Sequence, residues 1–396
     1  MAGKKGASSS GARAKTSNNH TNSKKQAKKT QNTLDEPDQK YTISDDERKH
    51  QQRVLDVFRH AFDDVLSSPS LPDTLQSVKQ ALYDRDFARA FGDPEHLAVY
   101  AARWSPTRAL CYASVLGGIK EHLEPLLSPS TLKSEDQNGD EGPPENNPPH
   151  PRQHLKVLSI GGGAAELVAF GAFLNQQHSL SGSITLLDSG PWETVISALT
   201  TALTTPPRLS QYASAATKLS NTALIPRSHL TPTFLQQDAL TLTKPHLSSL
   251  LSGGDGDTAT ILVTILFTLN ELFTASGLGK TTSFLLDLTA TIPSGSLLLV
   301  VDSPGSYSET SVGKDAKRYP MQWLLDRILL GGIDGGRRQG RRWVKVESRD
   351  SVWFRLAGGA GGAGGVLEYP IGLENMRYQM HLYRVEGDAG DDGDDD

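Results

Sequence analysis

The chain has 396 residues, enough for two domains, with a single cysteine and a net charge of −5 at neutral pH. One cysteine excludes an internal disulfide framework and a cysteine-based metal cluster, and it suits a reducing compartment. No N-terminal apolar stretch resembles a signal peptide, and the longest apolar run, ILVTILF, is too short to span a bilayer, so a soluble intracellular protein with no membrane contact is expected.

Residues 1–43 read as a disordered basic arm. The segment Met1 to Thr30 holds many Lys and Arg, no acid and almost no large apolar side chain, so it cannot bury enough surface to offset the entropy of ordering. Its KKQAKK run suits nuclear import or RNA attachment.

Residues 44–128 read as a helical cap or lid. Ser44 and Glu47 form a capping-box pattern ahead of Val54, Leu55, Phe58, Phe62, Val65 and Leu66, which share one helix face and end near Pro69. Leu75, Val78, Leu82 and Phe87 predict a second helix, and Asp93-Pro94 starts a third through Leu97, Tyr100 and Trp104. Pro106 interrupts it, and helix resumes to about Leu127. The break gathers Arg103, Trp104, Ser105, Thr107 and Arg108, either closing over a ligand or forming a kinked packing joint. Cys111 lies in the apolar stretch RALCYASVL and reads as a small buried hydrophobe. Residues 129–153, rich in Pro, Asn and acids, read as a linker.

Residues 154–386 alternate strand and helix. Apolar runs at LKVLSI, SITLLD, PTFLQQD, TATILVTILFT and SLLLVVD predict parallel strands covered on both faces. WVKVE and MRYQMHLYRV predict two closing strands with a Gly-rich insertion and no helix between them, the last of them antiparallel. Residues 387–396, GDAGDDGDDD apart from the flanking Glu386, form an acidic tail expected to be disordered.

The first strand runs into Gly161, Gly162 and Gly163, a turn that lets backbone approach a ligand before a helix N-terminus. The second ends at Asp188, where a carboxylate can accept from both hydroxyls of a ribose. Glu166, in the first turn after the glycines, opposes a pyrophosphate and disfavours NAD; it suits a cationic ligand such as S-adenosylmethionine, with its sulfonium and ammonium. Cofactor contacts are therefore expected from Gly161, Gly162, Gly163, Ala164, Glu166 and Asp188. Ser189 and Trp192 follow the second strand, Trp192 either packing or stacking on adenine. Gln237 and Asp238 follow the third, either reaching the adenine amino group or capping a helix. The fourth strand leads to Asn270 and Glu271, expected to orient the methyl acceptor and take its proton, or else Asn270 caps the next helix with Glu271 on its exposed first turn. GLGKTT lacks the first glycine of a phosphate loop and reads as a helix start, and the eleven histidines show no metal-ligand spacing, so no metal is expected.

The Gly161 turn resembles motif I of the class I methyltransferases, with Ser159 standing where that family usually has an acidic residue. Taken with YAARWSPTRALCY, TLLDSGPW, LFTLNELF, DSVWFRL and YPIGLENMRYQMHLYR, the chain resembles the fungal large-subunit (25S) ribosomal RNA uridine-N3 methyltransferases across roughly Ser44 to Val385. The resemblance implies an α/β, Rossmann-like seven-stranded sheet, S-adenosylmethionine as cofactor, and methyl transfer to N3 of a uridine in ribosomal RNA or a pre-ribosomal particle, in the nucleus, nucleolus or cytoplasm. Arg337, Arg338, Arg341 and Arg342 are expected to add positive charge, with Trp343, Trp353 and Phe354 either stacking groups or core. The fold by itself leaves open a protein or small-molecule acceptor, or a non-catalytic cofactor-binding assembly factor; oligomeric state is not readable.

Overall fold

The computed structural model of the protein describes residues 44–129, 152–252, 259–275, 277–305, 307–312, 315–331, 340–357 and 367–387. The basic arm, most of the linker, Arg337, Arg338, most of the Gly-rich insertion and the acidic tail lie outside the described residues.

Ser44 opens α1 (Asp45–Ala61), its Oγ accepting from the Glu47 N–H at 3.2 Å. Glu47 does not complete the box; its carboxylate accepts from Gln51 Nε2 at 3.0 Å. A short α2 (Asp63–Leu66) follows. The second predicted helix is two. α3 (Leu71–Tyr83) stops because Arg85 turns to φ 55°, and Asp86 caps α4 (Phe87–Phe91) by accepting from the Arg89 N–H at 3.1 Å. Asp93 caps α5 (Pro94–Arg103) in the predicted way. The break falls at Trp104, and Pro106 sits in the first turn of α6 (Ser105–Gly118), where its missing N–H leaves no intrahelical bond unmade. The expected run to Leu127 is divided at Ile119, after which α7 (Lys120–Leu123) is a single turn.

The sheet has the order β3-β2-β1-β4-β5-β7-β6, from β1 (Gln153–Ile160), β2 (Leu180–Asp188), β3 (Leu230–Gln236), β4 (Leu262–Leu266), β5 (Leu297–Asp302), β6 (Arg341–Phe354) and β7 (Met376–Gly387). This is the Rossmann-like seven-stranded α/β class expected from sequence. A two-residue strand, Ser128–Pro129, pairs with β1. The first five strands are parallel, and β7 is antiparallel both to β5 and to β6. The antiparallel strand is therefore internal, and β6 forms the outer edge. β4 is shorter than the run TATILVTILFT predicts, and β6 is much longer than WVKVE. A hairpin of Tyr307–Val312 with Asp315–Pro320, and α14 (Met321–Leu329), were not evident in the sequence.

Side-chain alternation along β1 sends Leu155 and Val157 to one face and Leu158 and Ile160 to the other. On the first face, α6 packs on α8 (Ala164–Gln176), with α9 (Glu193–Thr204) beside it. One apolar core runs there from Val54 and Phe58 through Cys111 and Tyr112 to Phe170 and Phe173, so the N-terminal helices and the sheet share their interior. The other face is covered by α11 (Lys244–Ser252), α13 (Gly277–Thr291) and α14, with the short α10 (Ala215–Ser220) and α12 (Leu269–Ala275) in connections. GLGKTT is indeed a helix start, that of α13. Every residue of β4 and β5 is buried, as continuous apolar runs between two helical layers require.

Packing over β2 is tight enough to exclude one methyl group. A Cβ at Gly182 would come within 2.4 Å of Phe170 Cζ and 2.9 Å of the Leu155 carbonyl oxygen. Gly182→Ala is expected to lower stability by about 1–3 kcal/mol through overpacking. Urea denaturation checks this, and an unchanged midpoint would contradict it.

Candidate cofactor and active site

Strand order reverses between β1 and β4, so the loops leaving their carboxyl ends splay apart and open a crevice. A cavity of about 470 Å³ lies there, within the size range of small-molecule sites. Its floor is the turn after β1. Gly161 has φ 67°, and a Cβ on it would lie 2.3 Å from the Thr268 side chain, so only glycine permits β1 and β4 to approach this closely. The turn's own N–H groups face inward. Those of Gly161 and Gly162 donate to the Leu187 carbonyl at 2.8 and 3.3 Å, and that of Gly163 donates to Glu166 Oε2 at 2.8 Å. The glycines thus supply room and curvature, not the backbone donors that the motif suggests. Ser159 pairs with Thr264 Oγ1 at 2.9 Å, a buried hydroxyl bond tying β1 to β4 just beneath.

Ten of the twelve site residues expected from sequence line this cavity: Gly161, Gly163, Ala164, Glu166, Asp188, Ser189, Trp192, Gln237, Asp238 and Glu271. Gly162 and Asn270 do not. Asp188 accepts from the Gly190 N–H at 2.7 Å, and the β3 loop is docked on it through Gln237 N–H to the Asp188 carbonyl at 2.8 Å. Asp238 caps a 3₁₀ turn, accepting from the Leu240 N–H at 2.9 Å, while still lining the cavity. Trp192 both packs and lines: its ring meets Tyr100 edge-on at 6.0 Å and Phe91 at 6.5 Å. Asn270 lies inside the first turn of α12, its N–H donating to Asp302 Oδ2 at 3.3 Å, so Asp302 does the capping that the sequence offered to Asn270.

The opposite wall comes from the N-terminal helices: Phe87 and Phe91 of α4, Tyr100 of α5, and Arg108 of α6. Arg108 is the main residue that sequence reasoning left uncommitted. Its guanidinium lies 5.2 Å from the Phe267 ring centroid and 5.5 Å from that of Tyr100, and it donates to the Tyr100 hydroxyl. The available signal was an arginine inside an otherwise apolar helix. Phe267, which follows β4 with φ 56°, carried no such signal; a bulky residue in that region stores strain and is held there by its N–H to the Val301 carbonyl at 2.7 Å.

Electrostatically the cavity is acidic. Burial pushes the Glu166 and Glu271 carboxyls up to about 7 and Asp188 up to about 6, against the pull of Arg108 on both glutamates and of the Gly190 N–H on Asp188. Asp302 and Asp188 raise Glu271 further. Burial also raises the Cys111 thiol, in keeping with an inert core position. Three carboxylates against one guanidinium leave a deficit of positive charge, which a ligand bearing a sulfonium and an ammonium makes up.

The family described as "Putative SAM-dependent methyltransferase" matches residues 58–384. The chain belongs to this family of S-adenosylmethionine-dependent methyltransferases. It is 30% identical over 360 residues to the 25S rRNA (uridine(2843)-N(3))-methyltransferase of Saccharomyces cerevisiae, covering 84% of this chain and 85% of that one. Among solved structures, an O-methyltransferase family protein from Burkholderia thailandensis is 12% identical at a TM-score of 0.30, covering 86% of this chain and 71% of that one. Human N-acetylserotonin methyltransferase in complex with SAM is 11% identical at a TM-score of 0.28, covering 80% and 66%. Among the described residues no helix is long and apolar enough to cross a membrane, and no cluster of metal-ligating side chains occurs.

Two outcomes follow from the charge balance. Asp188→Ala is expected to weaken S-adenosylmethionine binding by about 1–3 kcal/mol, as for a lost charge-assisted pair; unchanged affinity by calorimetry in a folded variant would remove Asp188 from the site. The carboxyls hold protons more tightly in the fold than in the unfolded chain, so their contribution to unliganded stability is complete below the ordinary value of 4.5 and is lost as pH rises through about 7. Cofactor affinity should run the other way, rising over the same window as the Glu166 carboxylate ionises. Melting curves and calorimetry between those limits measure both slopes, and parallel slopes would contradict the assignment.

Proposed function

We propose that this methyltransferase transfers its methyl group to N3 of a uridine in large-subunit ribosomal RNA. Glu271 carries the reading: a half-buried carboxyl lining the cavity directly after the β4 turn, which desolvation pushes up to about 7. The similarity to the yeast rRNA uridine-N3 enzyme over most of both chains supports the acceptor. S-adenosylmethionine, when bound, supplies a methyl on sulfur whose carbon–sulfur electron pair returns to sulfur as the acceptor nitrogen bonds to carbon. Uracil N3 carries a proton at neutral pH, so a base must remove it. Glu271 is the proton acceptor in this reading, because a group titrating near the working pH is ionised in part and still basic enough to take the proton. Arg108 keeps that carboxylate from drifting higher. Asp188 holds the ribose, Trp192 and Phe91 border the adenine, and Glu166 faces the cationic end.

The base must leave its stack to reach such a recessed carboxylate, so the substrate is a loop or an unfinished particle rather than a paired helix. In this reading the protein works on pre-ribosomal particles, in the nucleolus or nucleus or during their cytoplasmic maturation.

Mass spectrometry of nucleosides from rRNA treated with the protein should show N3-methyluridine. Methyl transfer to protein or to small molecules, with none to RNA, would overturn the proposal. Glu271→Gln should keep cofactor affinity and lose roughly 100-fold or more in single-turnover rate, a typical general-base contribution. The wild-type rate should rise with pH up to about 7 and then level, and that limb should vanish in the variant.

A further inference from the structure

A second pocket of about 190 Å³ adjoins the cofactor cavity and shares Arg108 and Phe267 with it. It forms where the α5–α6 joint meets the start of β7. It is smaller than the roughly 300–1,000 Å³ of whole-ligand sites, a size suited to one planar base and not to a complete nucleotide. Its charge is opposite to that of its neighbour: Arg103, Arg108 and Arg377 line it against the single carboxylate of Glu374, which pairs with Arg103 at 2.5 Å. Thr107, only 5% exposed, also lines it, and its buried Oγ1 has no hydrogen-bond partner among the described residues. Such a group is costly to bury unless something completes it.

The pocket continues outward through Arg377. On the outer edge strand Trp353 stands opposite Arg377 and is 49% exposed, with the guanidiniums of Arg355 and Arg377 at 5.5 and 5.6 Å from its ring centroid. Among the described residues neither of these arginines makes an ion pair. A large exposed indole between two unneutralised guanidiniums offers planar faces for bases and charges for phosphates together.

We infer that the small pocket receives the extruded acceptor pyrimidine, and that Trp353, Arg355 and Arg377 grip the adjoining single-stranded RNA. The inference rests on the RNA reading above and adds the path by which the acceptor enters. Phe267 and Arg108 line both cavities, so the two adjoin, and the reacting edge of the base is carried past them to the methyl donor and Glu271; Thr107 Oγ1 supplies a hydrogen bond to a base edge.

The test uses the full chain and a fluorescein-labelled, uridine-containing single-stranded oligoribonucleotide, with anisotropy for binding and calorimetry for cofactor affinity. Trp353→Ala should weaken RNA binding roughly fivefold or more, the loss of one stacked base, while Trp353→Phe retains most of it. Arg355→Gln and Arg377→Gln should each weaken binding and flatten its salt dependence. Thr107→Val should lower kcat/KM for methyl transfer about tenfold, as for one lost hydrogen bond, with cofactor affinity unchanged. Wild-type binding and transfer in all these variants, with rRNA still methylated, would overturn the inference and leave the RNA reading standing. Absence of transfer to RNA by the wild-type protein would overturn both, and displacement by an acidic peptide as effective as RNA would assign the patch to a protein partner.

Discussion

Three carboxyls and one guanidinium lining a single partly desolvated crevice is the arrangement on which the rest of this molecule depends. Ionised groups in a low-dielectric interior are expensive, and like charges raise the cost further. Glu166, Glu271 and Asp188 come from three different strand ends, so the sheet order alone brings them together. The single countercharge, Arg108, comes from outside the sheet. The N-terminal helices therefore complete the electrostatics of the site as well as the core, which accounts for α6 lying flat on α8 with Cys111 and Tyr112 buried beneath.

The charge left over defines what the site is made to hold. An anionic phosphate chain would meet three acids, and the N–H groups of Gly161, Gly162 and Gly163 are spent on Leu187 and Glu166. A sulfonium with an ammonium meets the opposite situation, in which binding favours the ionised form of the neighbouring carboxyls. The family's cofactor is thus explained by the local chemistry, not only by likeness.

Acidic and basic linings are separated in space by the same logic. The acidic cavity and the arginine-lined pocket beside it lie on the two sides of Phe267 and Arg108. An acidic interior would repel a polynucleotide, so positive charge has to be gathered locally. It is gathered at Arg355 and Arg377, whereas Arg103 is paired with Glu374, Arg342 with Glu386 and Arg341 with the Ala290 carbonyl. The aromatic residues divide similarly: Trp343 is buried, its Nε1 donating to Thr289 Oγ1, while Trp353 is left on the surface.

The sequence by itself determined the fold class and most of the residues that line the main cavity, because each depends on local signals. Apolar runs ending in Gly161 to Gly163 and at Asp188 mark strand ends, and in a parallel sheet strand ends are where ligands lie. Charge type near those ends pointed to a cationic ligand. Tertiary structure decided the rest, which depended on contacts between distant segments. That Asp302 and not Asn270 caps α12, that β7 enters between β5 and β6, and that Arg108 reaches the cavity from an N-terminal helix are facts of long-range packing. The left-handed turn at Phe267 is of the same kind, since no local preference of phenylalanine favours it and only the surrounding bonds hold it.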